Sequence, residues 1–216
     1  MSILNFLHSG GNKVSLTTPA SNPSSDVTFK LPQSDGSAGQ VLQTDGNGNL
    51  SWYTIPTTTP GITVADQWRI TSDGTMGTDT TTNFTSNWER SDTYGAAQLG
   101  SGMTESSGIF TFPSTGIYQI TANQVFSRTS AANRYAHLQL RTTTDNSSYN
   151  VAATGGAGFG QDYQQNTASL SFLFDVTNTS THKVRFSAYT NRSSIVYRGS
   201  TDANTNSYTF IRLGDT

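Results

Sequence analysis

Cysteine is absent from the chain's 216 residues, which removes disulfides, thiolate nucleophiles and thiolate-bound metal together. Charge is scarce: Lys and Arg number 12, Asp and Glu 14, and the net is -2. The nine arginines and three lysines form no run, so no basic surface for nucleic acid is expected. No apolar stretch approaches the roughly 20 residues of a membrane-spanning helix, and no membrane insertion is expected. Helical periodicity flanked by capping residues is missing as well. The opening MSILNFLHSGG holds one apolar cluster with neither a basic start nor a cleavage pattern, so it is not read as a secretion signal. His8, His137 and His182 stand far apart in no ligand spacing, and neither metal nor other cofactor is expected.

What remains is rich in Thr, Ser, Asn and turn residues, with 20 glycines and 11% aromatics. That aromatic share argues against disorder, and the Thr and Tyr content points to an all-β chain. Period-two alternation places Tyr118, Ile120, Ala122 and Phe126 on one side of a strand, with Gln124 as the exception. Ala136, Leu138 and Leu140 line a second, Leu170, Phe172, Phe174 and Val176 a third, and Val184, Phe186 and Ala188 a fourth. With further candidates at 65–71, 87–91, 108–112, 195–199 and 207–213, about ten short strands follow one another between turns. This pattern predicts a ten-stranded jelly-roll sandwich over residues 62–216, and no helices are available to connect a parallel sheet.

Two segments precede that head. Residues 1–30 are expected to be an extended arm, with Ile3, Leu4, Phe6 and Leu7 as its apolar attachment tip. Residues 31–61 are expected to form a small β-hairpin collar and a Pro-Thr linker, IPTTTPG. Asp35-Gly36 and Asp45-Gly46 are the turns of the collar, and Leu31, Val41, Leu42, Leu50 and Trp52 its packing residues. These are too few for an independent core, so three copies around an axis would supply the covering layer, with Trp52 against a neighbouring chain or the head. GGAGFG at 155–160 lacks the following helix and the Lys of a phosphate loop and is read as a mobile surface loop. Glu89, Glu105 and the aspartates show no glycosidase pairing by spacing, so no catalytic residue is assigned.

The run SGIFTFPSTGIYQITANQVF, 107–126, resembles the aromatic strand, Pro, Gly-Ile-Tyr turn and long core strand of tumour-necrosis-factor-like and complement-q-like heads. YTFIRLGDT, 208–216, is similar to the closing strand of the same heads. The resemblance implies a homotrimer, and by analogy with the family Tyr118, Tyr208 and Phe210 are expected to face the threefold axis. No acidic cluster matches the complement-q calcium site, which is not carried over. Separately, LPQSDGSAGQVLQTDGNGNLSW with DVTFK before it resembles a segment of structural proteins of tailed bacteriophages of marine and cyanobacterial hosts.

Together these resemblances imply a non-enzymatic virion protein. It would be a homotrimeric surface appendage attached through its arm to other virion proteins, of the tail as a short fibre or spike, or of the capsid as a decoration. Host attachment through a surface glycan is one expectation for the head, and a cement role without receptor binding is another. A soluble glycan-binding lectin or a polysaccharide depolymerase is the alternative of a different class, because jelly rolls host both.

Overall fold

The computed structural model describes residues 3–17, 19–55, 61–130, 135–191 and 194–216. The chain divides into two compact units, Met1–Thr58 and Thr59–Thr216. Residues 56–60 of the expected linker lie outside the described residues.

In the first unit the arm is not extended. Strands β1 (Ile3–Leu7) and β2 (Lys13–Thr17) pair antiparallel from Ile3↔Thr17 to Leu7↔Lys13. Gly11, at φ 90°, donates its N–H to the His8 carbonyl and lets the chain reverse, which the Gly10-Gly11 break makes possible. The collar is a second hairpin of β3 (Gln40–Thr44) and β4 (Leu50–Thr54), in register from Gln40↔Thr54 to Thr44↔Leu50. Asp45-Gly46 lies in its connection, as expected. Asp35-Gly36 does not form a second hairpin: Gly36 is the seat on which the Trp52 ring rests, where a Cβ would meet ring carbons at 2.5–2.9 Å. Lys30 adds itself beside Asn49, its N–H donating to the Gly48 carbonyl and its own carbonyl accepting from Leu50.

The second unit is a sandwich of two antiparallel sheets built from 13 strands among the described residues. In order they are β5 (Ala65–Ile70), β6 (Gly74–Thr75), β7 (Thr80–Asn83), β8 (Trp88–Arg90), β9 (Thr104–Ser106) and β10 (Ile109–Thr111). Then follow β11 (Gly116–Arg128), β12 (Tyr135–Thr143), β13 (Asn150–Gly158), β14 (Gln165–Val176), β15 (Lys183–Thr190), β16 (Ile195–Tyr197) and β17 (Ser207–Gly214). One sheet runs β13-β12-β15-β10-β9, with β7 also on β15; the other runs β6-β16-β11-β17-β5-β8, with β14 on the free side of β11. The long β11 carries β14 along one edge and both β17 and β16 along the other.

The jelly-roll class stands, with more strands than the ten expected. β6, β7 and β9 are two to four residues long, too short to show a period. The expected loop at 155–160 is corrected by the structure: Gly155–Gly158 belong to β13 and pair with Tyr135 to Leu138 of β12. Glycine and alanine hide the strand because they carry little β signal. At Gly155 small size is a requirement, since a Cβ there would press into the backbone of Ser169 on β14, where the edges of the two sheets meet.

Between the sheets lies an aromatic core. Phe110 sits at its centre, with Trp88 at 4.9 Å, Phe210 at 5.2 Å, Trp68 at 5.5 Å and Phe186 at 5.8 Å between ring centroids. Tyr118, Tyr208 and Phe210 are the principal correction to the sequence expectation: each is 0% exposed inside a single chain, which leaves no surface of theirs for a neighbouring copy. Alternation places them inward correctly; β10 and β15 of the facing sheet supply Phe110 and Phe186, and Phe112 lies just beyond β10, so no aromatic surplus is left over. Their hydroxyls are satisfied within the chain, Tyr118 donating to the Ser114 carbonyl at 3.0 Å and Tyr208 to Gln124 Oε1 at 2.6 Å. Gln124, the exception in the alternation, is thereby explained: it is buried, and its Nε2 donates to the carbonyls of Val125 and Arg198.

Candidate functional site

With the expected axis residues inside the core, the outer face of the seven-stranded sheet is a surface left open to solvent. Register across β14, β11, β17 and β5 aligns Leu173, Gln119, Ile211 and Ala65 in one row, and Ser171, Thr121, Thr209 and Gln67 in the next. Ile117 and Val125 extend the face along β11, and Leu173 and Leu213 are exposed. Asp175, opposite Ile117, is the acid at one end. At the other end Arg69 is 1% exposed, its charge taken up by Glu89 and Asp92 at 2.8 Å each. A shallow cleft of about 210 Å³ opens on this face between Ala65, Gln67, Ala96, Ala97, Thr209 and Ile211. This sheet face of apolar, amide and hydroxyl side chains shares its scarcity of free charge with the centre of a protein interface.

The collar residues fall into two groups. Leu50 is half-buried, whereas Leu31, Val41, Leu42 and Trp52 remain exposed within the unit. Trp52 packs on Gly36 and donates its indole N–H to the Ser34 carbonyl at 2.8 Å, so the 31–36 segment is clasped to β4 by its own chain. Beside this clasp, Leu31, Pro32, Leu42 and Trp52 help to line an open cleft of about 410 Å³. Asp45 fastens the other end: its carboxylate accepts from the Asn49 side chain and from the N–H groups of Asn47 and Asn49, which holds its pKa below the usual carboxylate range. That contribution is present above the ordinary carboxylate pKa and is lost as pH falls through the lowered one.

Replacing Trp52 by alanine removes both the ring on Gly36 and the bond to Ser34. At about 1–2 kcal/mol of local stability, limited proteolysis between residues 31 and 55 should quicken about tenfold, with the unfolding midpoint of the second unit unchanged. Unchanged cleavage would show that the clasp contributes nothing. In the arm, β1 places Ile3, Leu4, Phe6 and Leu7 on one strand; Phe6 is exposed, as is Leu16 of β2, and the side chains of Ile3, Leu4 and Leu7 lie outside the described residues.

Of the three histidines, His137 lies between the Tyr135 and Tyr189 rings with its Nδ1 buried and unpartnered among the described residues, and the other two have hydrogen-bond partners. His8 accepts the Gly10 N–H at 3.0 Å, and His182 lies between the hydroxyls of Thr177 and Thr181. Asp73 accepts from the Gly199 N–H and pairs with Arg198, tying the β5–β6 turn to the segment after β16. Among the described residues no group of three His, Asp or Glu side chains could hold a metal ion. One cluster that no spacing announced lies on the outer face of the six-stranded sheet, where β12 and β15 set Arg141 directly opposite Arg185.

No protein family and no curated protein sequence matches the chain. Solved structures do. The tumour necrosis factor Eiger from S. frugiperda superposes with a TM-score of 0.53 at 10% identity, over 71% of this chain and 94% of that one. Murine APRIL at pH 5.0 gives 0.51 at 11% identity, over 69% of this chain and 98% of that one. At such identities the likeness is one of fold, and the fold of the second unit is a jelly roll of the tumour-necrosis-factor type.

Proposed function

We propose that this chain is a non-enzymatic structural protein of a phage virion, a homotrimeric appendage that displays the jelly roll and attaches through its N-terminal hairpins. The observation that carries the assembly is the nearly uncharged outer face of β14, β11, β17 and β5, on a domain whose aromatic core is already complete within one chain. Self-association is also in keeping with the tumour-necrosis-factor-type fold. Attachment is supported by a first unit that exposes Phe6 and Leu16 on its first hairpin and Val27, Phe29 and Leu31 on the segment between its two hairpins, which are too small to cover them. The virion setting rests on the resemblance of residues 31–52 to phage structural proteins.

Light scattering tests the assembly: the full chain should run at three times its own mass. Ile211→Lys, which places a charge in the middle of the outer face, should shift it to monomer while the unfolding midpoint changes little. A monomeric wild type would overturn the trimer. For the setting, deletion of residues 1–11 should deplete the protein from particles, and density for the head on intact virions would separate tail from capsid placement. Release of reducing sugar from host polysaccharide would force the depolymerase reading instead.

A further inference from the structure

We infer that the outer face of the six-stranded sheet carries a binding site for a doubly charged tetrahedral oxyanion, sulfate or phosphate, built by Arg141, Arg185 and Tyr149. The register of β12 and β15 makes Arg141 and Arg185 direct cross-strand neighbours. Like charges in that relation repel, and sheets ordinarily avoid it. Every other described arginine, 69, 90, 128, 198 and 212, is ion-paired with an acid, whereas neither of these two is. The undescribed segments contain no Asp or Glu that could supply the missing partner.

Three polar atoms of these side chains have no hydrogen bond. Arg141 Nε, Arg185 Nε and the Tyr149 hydroxyl are each closed to solvent and unpartnered among the described residues. The Arg185 guanidinium lies 4.3 Å from the centroid of the Tyr149 ring, which fixes its plane. Asp145, close in sequence, spends its Oδ1 on the Thr143 hydroxyl and the N–H groups of Ser147 and Ser148. Burial first, and the facing Arg185 second, lower the pKa of Arg141. Lys183, two residues along β15 from Arg185, adds a further positive charge while donating to Thr111 Oγ1.

An oxyanion between the two guanidinium groups would turn this repulsion into attraction. Each guanidinium offers paired, charge-assisted donors, and the phenol offers one more. Both arginines are half-buried, each keeping part of its surface open although its Nε is closed to solvent. The site stands on the sheet opposite the proposed association face and is independent of the trimer.

Titration of the full chain with sodium sulfate, against sodium chloride of equal ionic strength, tests the site by calorimetry and thermal unfolding. Wild type should bind sulfate and gain a sulfate-specific rise in midpoint. Arg141→Gln and Arg185→Gln should each bind about tenfold more weakly or worse, with a midpoint in chloride equal to or above that of wild type because the repulsion is gone. Arg185→Lys keeps the charge, removes the fork, and should fold normally with weakened binding. Dextran sulfate distinguishes the source: tighter binding than the free ion, lost in the same variants, identifies an ester on a polymer, and binding of free sulfate alone identifies a small counter-ion. An equal rise in midpoint for wild type and all variants would be the general effect of an excluded salt and would overturn the site.

Discussion

Phe110→Ala is expected to lower the stability of the second unit by about 3–5 kcal/mol, read as a shift of the urea midpoint at unchanged slope. The residue is fully buried, and its ring is flanked by Trp68, Trp88, Phe186 and Phe210, the first three of them edge-on to it. Truncation removes the transfer term of one large side chain and the aromatic contacts with four others at once. Collapse into the space is hindered because Trp88 and Trp68 are anchored at their N–H groups, to the Phe84 carbonyl and to Asp66. Phe110→Leu should cost markedly less, since it keeps most of the volume. Equal losses for the two variants would mean that the ring geometry, rather than the filled space, carries the stability.

Asp66→Ala is expected to be comparably severe, about 3–5 kcal/mol, for the opposite reason: it leaves polar groups buried without a partner. Asp66 is 2% exposed, and its carboxylate accepts from the Trp68 indole, from both Arg90 Nε and Nη2, and from the Met103 N–H at 2.7 Å. Arg90 in turn lies 4.7 Å from the Trp68 ring and donates to the Met103 carbonyl, so one carboxylate joins β5, β8 and the segment before β9. Gly102 sits against it at φ 66°, close enough that a Cβ would come within 2.8 Å of Asp66 Oδ2. The double variant Asp66→Ala with Arg90→Met should recover part of the loss, because the stranded cation is removed with its partner. A double variant as unstable as the sum of the singles would show that the pair does not act as a unit.

Alternation made the long strands legible. Tyr118 to Phe126, Ala136 to Leu140 and Val184 to Ala188 were placed inward from the sequence, and the structure buries them inward. β13 was invisible because its Gly155, Gly156 and Ala157 give no apolar period, and its glycine is set by a backbone approach 14 residues away in sequence, at Ser169. Sequence sends Tyr118, Tyr208 and Phe210 to an axis because one chain's residues do not show how much of the facing layer is open to receive them. Phe110, Phe112 and Phe186 receive them fully. The Arg141–Arg185 juxtaposition joins residues 44 positions apart and depends on strand register, which a β-bulge between Leu140 and Arg141 on the β13 side makes harder still to infer. Trp52 was marked from its chemistry alone, and the structure adds its hold on Gly36 and Ser34.

The placement of β17 sets a condition on how the head is made. This strand, the last of the unit, lies in the interior of its sheet, paired on one side with β11 and on the other with β5, the unit's first strand. A nascent chain that does not yet include Ser207–Gly214 therefore has a gap between two inner strands, with Phe110 and Trp88 uncovered where Phe210 and Tyr208 belong. Closure of the head must wait until β17 itself has left the ribosome. Pairing the two ends of the unit also makes the decisive contacts remote in sequence, so refolding should be slow for a domain of this size, on the millisecond-to-second scale typical of β sandwiches.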